Sequence, residues 1–130
     1  MSLNDPISDL LTHIRNARLA KHRHVDLRIS KLKLNVIKIL EEQGFIQKFL
    51  INDERGIVRI FLKYVEGRAP VLQGLKRVST PGLRRYVTSK EIPRVLGGMG
   101  IVILSTSKGV LEGEAARRLN VGGELLCLIW

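Results

Sequence analysis

A single cysteine, Cys127, occurs in 130 residues, so no intramolecular disulfide can form and a four-cysteine zinc site is excluded; a reducing compartment fits. Aromatic side chains are also scarce. Three Phe, two Tyr and one Trp do not supply the aromatic spacing of an RNA-recognition-motif sheet, so recognition dominated by stacking is not expected. The longest apolar run, Leu125 to Trp130, falls far short of the roughly 18 residues of a membrane span. Met1 to Pro6 has no basic region leading into an apolar stretch, and the chain reads as soluble and unsecreted. No internal repeat or low-complexity tract is visible.

Acidic residues are in deficit as well: 12 Asp and Glu stand against 22 Lys and Arg, a net charge of +10. Such an excess points to an anionic partner. With 45% hydrophobic residues the chain can build a core, which a disordered basic tail cannot. Its length suits one compact unit or two small lobes, because lobes of about 60 residues are marginal alone. Residues 1–66 hold 12 basic and 8 acidic side chains and residues 67–130 hold 10 and 4, so both halves are cationic. The excess is concentrated. Eight basic residues and one acid lie between Arg15 and Lys38, and seven and one between Arg68 and Arg94, a clustering that favours a phosphate backbone over mere solubility.

Asp5 before Pro6 reads as a helix cap, and Ile7, Leu10, Leu11, Ile14 and Ala17 then recur at helical spacing to about Leu19. Val25, Leu27 and Ile29 alternate with polar residues in a half-buried strand. Ser30 is a plausible cap for a second helix, Lys31 to Gln43, which Gly44 stops. Phe45 to Ile51 and Ile57 to Val65 read as strands joined by the turn residues 52–56. Glu66 to Pro70 is the expected boundary, giving lobes of 1–66 and 67–130. Beyond it the pattern is mostly β: Val71 to Ser79 and Leu83 to Thr88 flank Thr80-Pro81-Gly82 as a hairpin with a type II turn. Ile92 to Leu96 is at most a short helix, Ile101 to Leu104 a buried strand, Glu112 to Leu119 a short helix, and Glu124 to Ile129 a closing strand. The class is α+β: an N-terminal helix-strand-helix-hairpin lobe and a mainly β C-terminal lobe.

Chemical motifs are weak. His22-Arg23-His24 with His13 invites a metal, but no acid or thiol pattern completes a ligand set, and a solvated loop is the better reading. Ser105-Thr106-Ser107-Lys108 matches the S-x-x-K spacing of a serine nucleophile, yet neither companion motif of that enzyme class occurs. Gly98-Met99-Gly100 lacks the third glycine of a dinucleotide fingerprint and precedes a strand. Glu91, Glu112, Glu114 and Glu124 could meet as acid and base, but Glu112 and Glu114 sit where a helix start favours carboxylates.

The Ser105 to Gly109 segment also admits a binding role. Its two serines lie two residues apart, on one side if extended; a hydroxyl can pair with a ribose 2′-OH, Lys108 with a phosphate, and Gly109 removes an obstructing Cβ. A purely structural turn is an equal reading. Tyr86 beside the Arg84 guanidinium could stack on an unpaired base or simply pack at a sheet edge. Thr12, Arg15 and Asn16 form a polar stripe on helix one. Lys31, Lys76 and Arg77 lie within the two basic blocks as candidate phosphate contacts. An alternative is a DNA-binding regulator that inserts the 31–43 helix into a major groove with Lys31, Lys33, Asn35 and Lys38, though its apolar residues leave a narrow polar face.

Several segments together carry a resemblance: Asp5-Pro6-Ile7, Leu11-Thr12-His13-Ile14-Arg15-Asn16-Ala17, Gly44-Phe45-Ile46, Gly74 to Ser79, Pro81 to Arg84, Ile92 to Leu96, Ile103 to Val110, and Gly122-Gly123-Glu124. In collinear order over essentially the whole chain, they resemble the family of bacterial small-subunit ribosomal proteins numbered eight. The resemblance implies a two-lobe, non-enzymatic protein that binds the central domain of small-subunit ribosomal RNA early in assembly of the platform region, beside neighbouring small-subunit proteins. It implies no cofactor, metal, membrane or small-molecule substrate, and a cytoplasmic, ribosome-associated location. The implied RNA contacts transfer to Ser105, Thr106, Ser107 and Tyr86, with Gly123 and Glu124 beside them, and to Thr12, Arg15 and Asn16. Members of the family can also repress translation of their own operon. Departures are local: Arg28-Ile29 replaces a Pro-containing dipeptide, Thr80 stands where Lys is common, and Arg85 where an apolar residue is frequent.

Overall fold

The computed structural model describes residues 5–65 and 69–130. They cluster into two compact units, one of Pro6–Gln73 and one of Gly74–Trp130 together with Asp5. The boundary expected at 66–70 falls in part on residues 66–68, outside the described residues. No helix among the described residues is long and apolar enough to cross a membrane.

In the first unit, α1 (Pro6–Leu19) buries Ile7, Leu10, Leu11, Ile14 and Ala17, the stripe expected from their spacing. It leads into β1 (His24–Arg28), and Ser30 then caps α2 (Lys31–Glu42), its hydroxyl accepting from the Lys33 amide at 3.1 Å. Gly44, at φ +80°, takes the left-handed conformation that ends α2. The strands β2 (Ile46–Asn52) and β3 (Ile57–Leu62) complete an antiparallel sheet in the order β1-β3-β2, and the two-residue strands β4 (Tyr64–Val65) and β5 (Ala69–Pro70) pair separately.

Register sorts the side chains of this sheet. Val25, Ile60 and Phe49 lie in one row, and Leu27, Val58 and Ile51 in another, on the face where α1 contacts β1 and α2 contacts β2. The opposite face carries the rows His24, Phe61, Lys48 and Asp26, Arg59, Leu50. There the Lys48 ammonium sits 4.9 Å from the Phe61 ring centre, with His24 edge-on to the same ring. Lys33 departs from the apolar rule. It is 6% exposed, and its ammonium donates to Asp9 Oδ2 at 2.6 Å and to the Arg28 carbonyl at 3.3 Å. The buried cation therefore ties α2 to α1 and to the end of β1.

The second unit is organised by its last strand. The short strands β6 (Leu75–Arg77) and β7 (Tyr86–Val87) precede β8 (Ile101–Thr106), β9 (Gly109–Glu112), α3 (Gly113–Arg118) and β10 (Gly123–Ile129). β10 pairs β8 along one edge, and β8 pairs β9. Along its other edge β10 takes β7 opposite Gly123 and Glu124 and β6 opposite Cys127 to Ile129. The hairpin expected from residues 71–79 and 83–88 is thus corrected: the two segments lie end to end on one strand, and a Thr80–Leu83 bridge joins them in place of a ladder. A bulge in β10 at Leu126 separates them, and its carbonyl is satisfied by the Val78 amide at 3.0 Å and the Arg77 guanidinium at 2.7 Å. Gly82 does not adopt a positive φ, so the turn at Thr80 to Leu83 is not type II. Instead Leu83 N–H closes it on the Thr80 carbonyl and hydroxyl.

On one face of this sheet Ile92, Val102, Leu104, Ala116 and Leu125 form a core, with Ala116 brought in by α3. Trp130 lies flat on Gly74, where a Cβ would meet its indole at 2.3 Å, and the two residues exchange both backbone hydrogen bonds. Cys127 is fully buried, and burial pushes its thiol up to about 12, which makes it inert.

Replacing Lys33 with Met leaves Asp9 without its buried counter-charge, and urea denaturation should register a loss of about 3 kcal/mol. The double variant Lys33→Met with Asp9→Leu should recover most of that loss. A double-variant loss equal to the sum of the Lys33→Met and Asp9→Leu losses would show that the pair contributes nothing as a pair.

Candidate nucleic-acid interface

The candidate residues of the second unit converge at one end of its sheet. Glu124 on β10 stands opposite Tyr86 on β7 and Ser105 on β8, so the three side chains occupy one row on one face. Tyr86 is 70% exposed, which settles its place as an outward side chain rather than one packed at the sheet edge.

The close approach behind this row requires glycine. At Gly123 a Cβ would lie 2.2 Å from the Ser105 carbonyl oxygen, and at Gly122 one would lie 2.2 Å from that of Val87. Gly122 stands just before β10 and Gly123 is its first residue, so the missing Cβ atoms let β7 and β8 close on the start of the strand.

Two residues join the row through Glu124. Its carboxylate accepts from the Ser79 hydroxyl at 2.5 Å and from Arg84 at 2.8 Å. Ser79 is fully buried, and its hydroxyl also accepts the Arg85 amide at 3.1 Å, so it locks the chain between β6 and β7 onto Glu124. Burial alone would raise the Glu124 carboxyl, but the hydrogen bonds from Ser79 and Arg84 and the charges of Arg84 and Arg77 hold it below the usual carboxylate range. Glu124 is therefore a neutralised structural anion. It fixes an Arg84 guanidinium that remains half-exposed beside Tyr86.

The β8–β9 turn assigns the hydroxyls different tasks. Thr106 donates to the Gly109 carbonyl at 2.8 Å and accepts the Lys108 amide at 3.1 Å, so its hydroxyl is used in holding the turn. Gly109 takes φ +107°, which closes the loop. Extended backbone ends at Thr106, so Ser105 and Ser107 are not two positions of one strand face: Ser105 lies in the row with Tyr86, and Ser107 stands exposed at the tip beside Lys108. Among the described residues neither serine hydroxyl has a hydrogen-bond partner.

The remaining candidates separate. Lys76 on β6 is exposed, whereas Arg77 is committed to Asp5, at 3.1 and 3.3 Å, and to the Leu126 carbonyl. Arg77 is thus a half-buried strut and not a free cation. Thr12, Arg15 and Asn16 on α1 and Lys31 on α2 belong to the other unit, where Thr12, Asn16 and Lys31 are exposed and Arg15 is half-buried. Of the four polar α2 residues considered for a DNA groove, Lys33 is buried and Asn35 half-buried, leaving only Lys31 and Lys38 exposed.

Sequence reasoning missed Ser79, whose only signal was a small polar residue beside the turn. The acidic residues have local partners. Glu112 caps α3 by accepting the Glu114 amide, Glu114 pairs with Arg117 and Arg94, and Glu91 accepts the Thr88 amide. His13 bonds the Asp9 carbonyl and His24 packs on Phe61; no cluster of potential metal ligands occurs among the described residues.

Residues 5–130 match the family described as Ribosomal protein S8. The chain is 53% identical over 133 positions to the small ribosomal subunit protein uS8 of Protochlamydia amoebophila (strain UWE25), with all of both chains covered. It is 51% identical over 132 positions to the uS8 of Anaeromyxobacter sp. (strain K), again covering both in full. With the uS8 of Chlamydia felis (strain Fe/C-56) it shares 52% over 129 positions, which covers 98% of this chain and 97% of that one.

Gly123→Ala should destabilise the protein by about 3 kcal/mol, because backbone on the neighbouring strand must move; Gly82→Ala, which meets open space, should stay within about 0.5 kcal/mol. Thermal denaturation of both variants checks the contrast. Glu124→Gln should be less stable than the parent at neutral pH. Because the folded carboxyl lies below its ordinary 4.5, the stability it contributes is complete above that value and is lost as pH falls through the folded value. The two stability curves should therefore converge in acid, and a pH-independent gap would refute the ionised carboxylate as the source.

Proposed function

Because the chain belongs to the ribosomal protein S8 family, we propose that it is a structural, non-catalytic constituent of the small ribosomal subunit that binds the central domain of small-subunit ribosomal RNA. In this reading it works in the cytoplasm on the assembling ribosome, and the lobes 1–66 and 67–130 both contribute contacts. The observation that supports the reading best is the row of Tyr86, Glu124 and Ser105 next to the Ser107–Lys108 tip. It offers two unengaged hydroxyls and an exposed ring on a support that Thr106 and Glu124 hold rigid.

That surface suits folded RNA. The minor groove of an RNA stem is wide and shallow and lined with 2′-hydroxyls, so short groups on a rigid tip reach it without entering a deep cleft. Ser105 and Ser107 can each donate to and accept from a ribose or a base edge. Tyr86 offers a stacking face to one bulged base, and Lys108, Lys76 and the outer side of Arg84 supply phosphate contacts. Neutralisation of Glu124 matters here, since a bare carboxylate in the middle of the face would repel the backbone. Thr12, Arg15, Asn16 and Lys31 add contacts from the other unit. A stem of the same shape in the protein's own messenger would compete for this face and repress translation.

Filter binding of the full chain to a central-domain RNA fragment tests the reading. At matched salt it should exceed binding to an unrelated RNA of equal length by about 1,000-fold, and duplex DNA should behave as the unrelated RNA. Equal affinity for all three sinks the proposal. Ser105→Ala with Ser107→Ala should cost about 1 to 3 kcal/mol of that affinity at an unchanged salt slope, whereas Lys76→Ala should lower the slope by about 1.

A further inference from the structure

The sheet of the first unit ends in two edges, and β2 is one of them, since among the described residues it pairs only with β3. Natural sheets protect such an edge with bulges and charged side chains. On β2 both devices sit in the first half. A register irregularity lies between Ile46 and Lys48, and Lys48 covers the Phe61 ring. The second half has neither. Leu50 and Ile51 follow each other, so their side chains point to opposite faces, yet Leu50 is 54% and Ile51 43% exposed. Aliphatic surface is thus bare on both faces of a strand whose outer edge is open.

Beside it lies an open groove of about 290 Å³, lined by Leu50, Ile51 and Ile57, by Asn52, and by the Asp26–Arg59 ion pair and Arg55. Arg59 donates to Asp26 at 2.8 and 3.1 Å, so that pair is neutral. Among the described residues Arg55 has no carboxylate at ion-pair distance. The groove is part aliphatic and part polar, and its two guanidinium groups face one carboxylate, so its lining keeps a net positive charge; its size takes side chains of a chain rather than a whole small molecule.

We propose that the Leu50–Asn52 edge is a docking site for an extended segment of another small-subunit protein, which adds a strand alongside β2, seats an apolar side chain in the groove and offers a carboxylate to Arg55. The inference rests on the reading that the chain works inside the small subunit. Strand addition supplies main-chain hydrogen bonds, and alternate side chains supply specificity. Nucleic acid is a poorer occupant, because the groove has no aromatic platform for a base and three aliphatic side chains, Leu50, Ile51 and Ile57, make up its apolar part. A second copy is poor as well: the chain carries +10, and two β2 edges would bring Lys48 and Arg55 of each copy together.

A photo-crosslinking amino acid placed at position 51 of the full chain tests the docking in small subunits reconstituted from ribosomal RNA and the complete set of small-subunit proteins. The expected product is a crosslink to one protein, mapping by mass spectrometry to a stretch with alternating apolar residues and an Asp or Glu. Leu50→Lys, on the solvent side of the strand, should reduce its yield by about tenfold or more, the scale of forfeiting one buried leucine. A crosslink to RNA, to a second copy or to nothing overturns the proposal, as does a Leu50→Lys yield equal to the parent's. Binding of the same proteins to ribosomal RNA alone is measured in parallel and should be unaffected by Leu50→Lys. Loss of RNA binding in the parent chain would strike the functional reading instead.

Discussion

Two strands close on β10 from opposite sides at a point where it has no side chains to keep them away. Gly122 and Gly123 remove the Cβ atoms that would meet the carbonyls of Val87 and Ser105, and the next residue, Glu124, then faces Tyr86 and Ser105 across the two ladders. The candidate RNA-binding face depends on that approach. Without it β7 would have no strand partner among the described residues, and Tyr86 would lose its position relative to the β8–β9 turn.

Glu124 then converts proximity into rigidity. One carboxylate holds Ser79 from the segment between β6 and β7 and Arg84 from the approach to β7. Because Ser79 is buried and also takes the Arg85 amide, the chain between the two short strands is held at several points. The proposed RNA contacts, made by short hydroxyl groups, would gain from such support, because the ordering is done before a ligand arrives. The same economy appears at the turn, where Thr106 spends its hydroxyl on the loop and leaves Ser105 and Ser107 unengaged.

The first unit uses charge differently. Its sheet hides one cation, Lys33, in a contact between helices and strand, and parks another, Lys48, on an aromatic ring. Formal charge therefore overstates what the molecule offers to a polyanion. Lys33 and Arg77 both belong to the basic blocks read from the sequence, and both are internal struts.

Local signals carried much of the fold. Helix one, helix two with its Ser30 cap and Gly44 stop, the β2–β3 pair and the Glu112 helix start were legible because each is decided by neighbours within a few residues. The motif residues around Ser105 were likewise visible, as was the family. What tertiary structure alone decided is which partner each group takes. The segments around Thr80 have strand character but pair with β10 and not with each other, because a bulge at Leu126 divides one edge between them. Whether Arg77 is a ligand-binding cation or a strut, and whether Thr106 or Ser107 keeps a free hydroxyl, depends on atoms brought from as far away as Asp5 or folded back from Gly109. Backbone propensity is a property of adjacent residues, whereas the availability of a polar side chain is settled only once every group that could satisfy it has been placed.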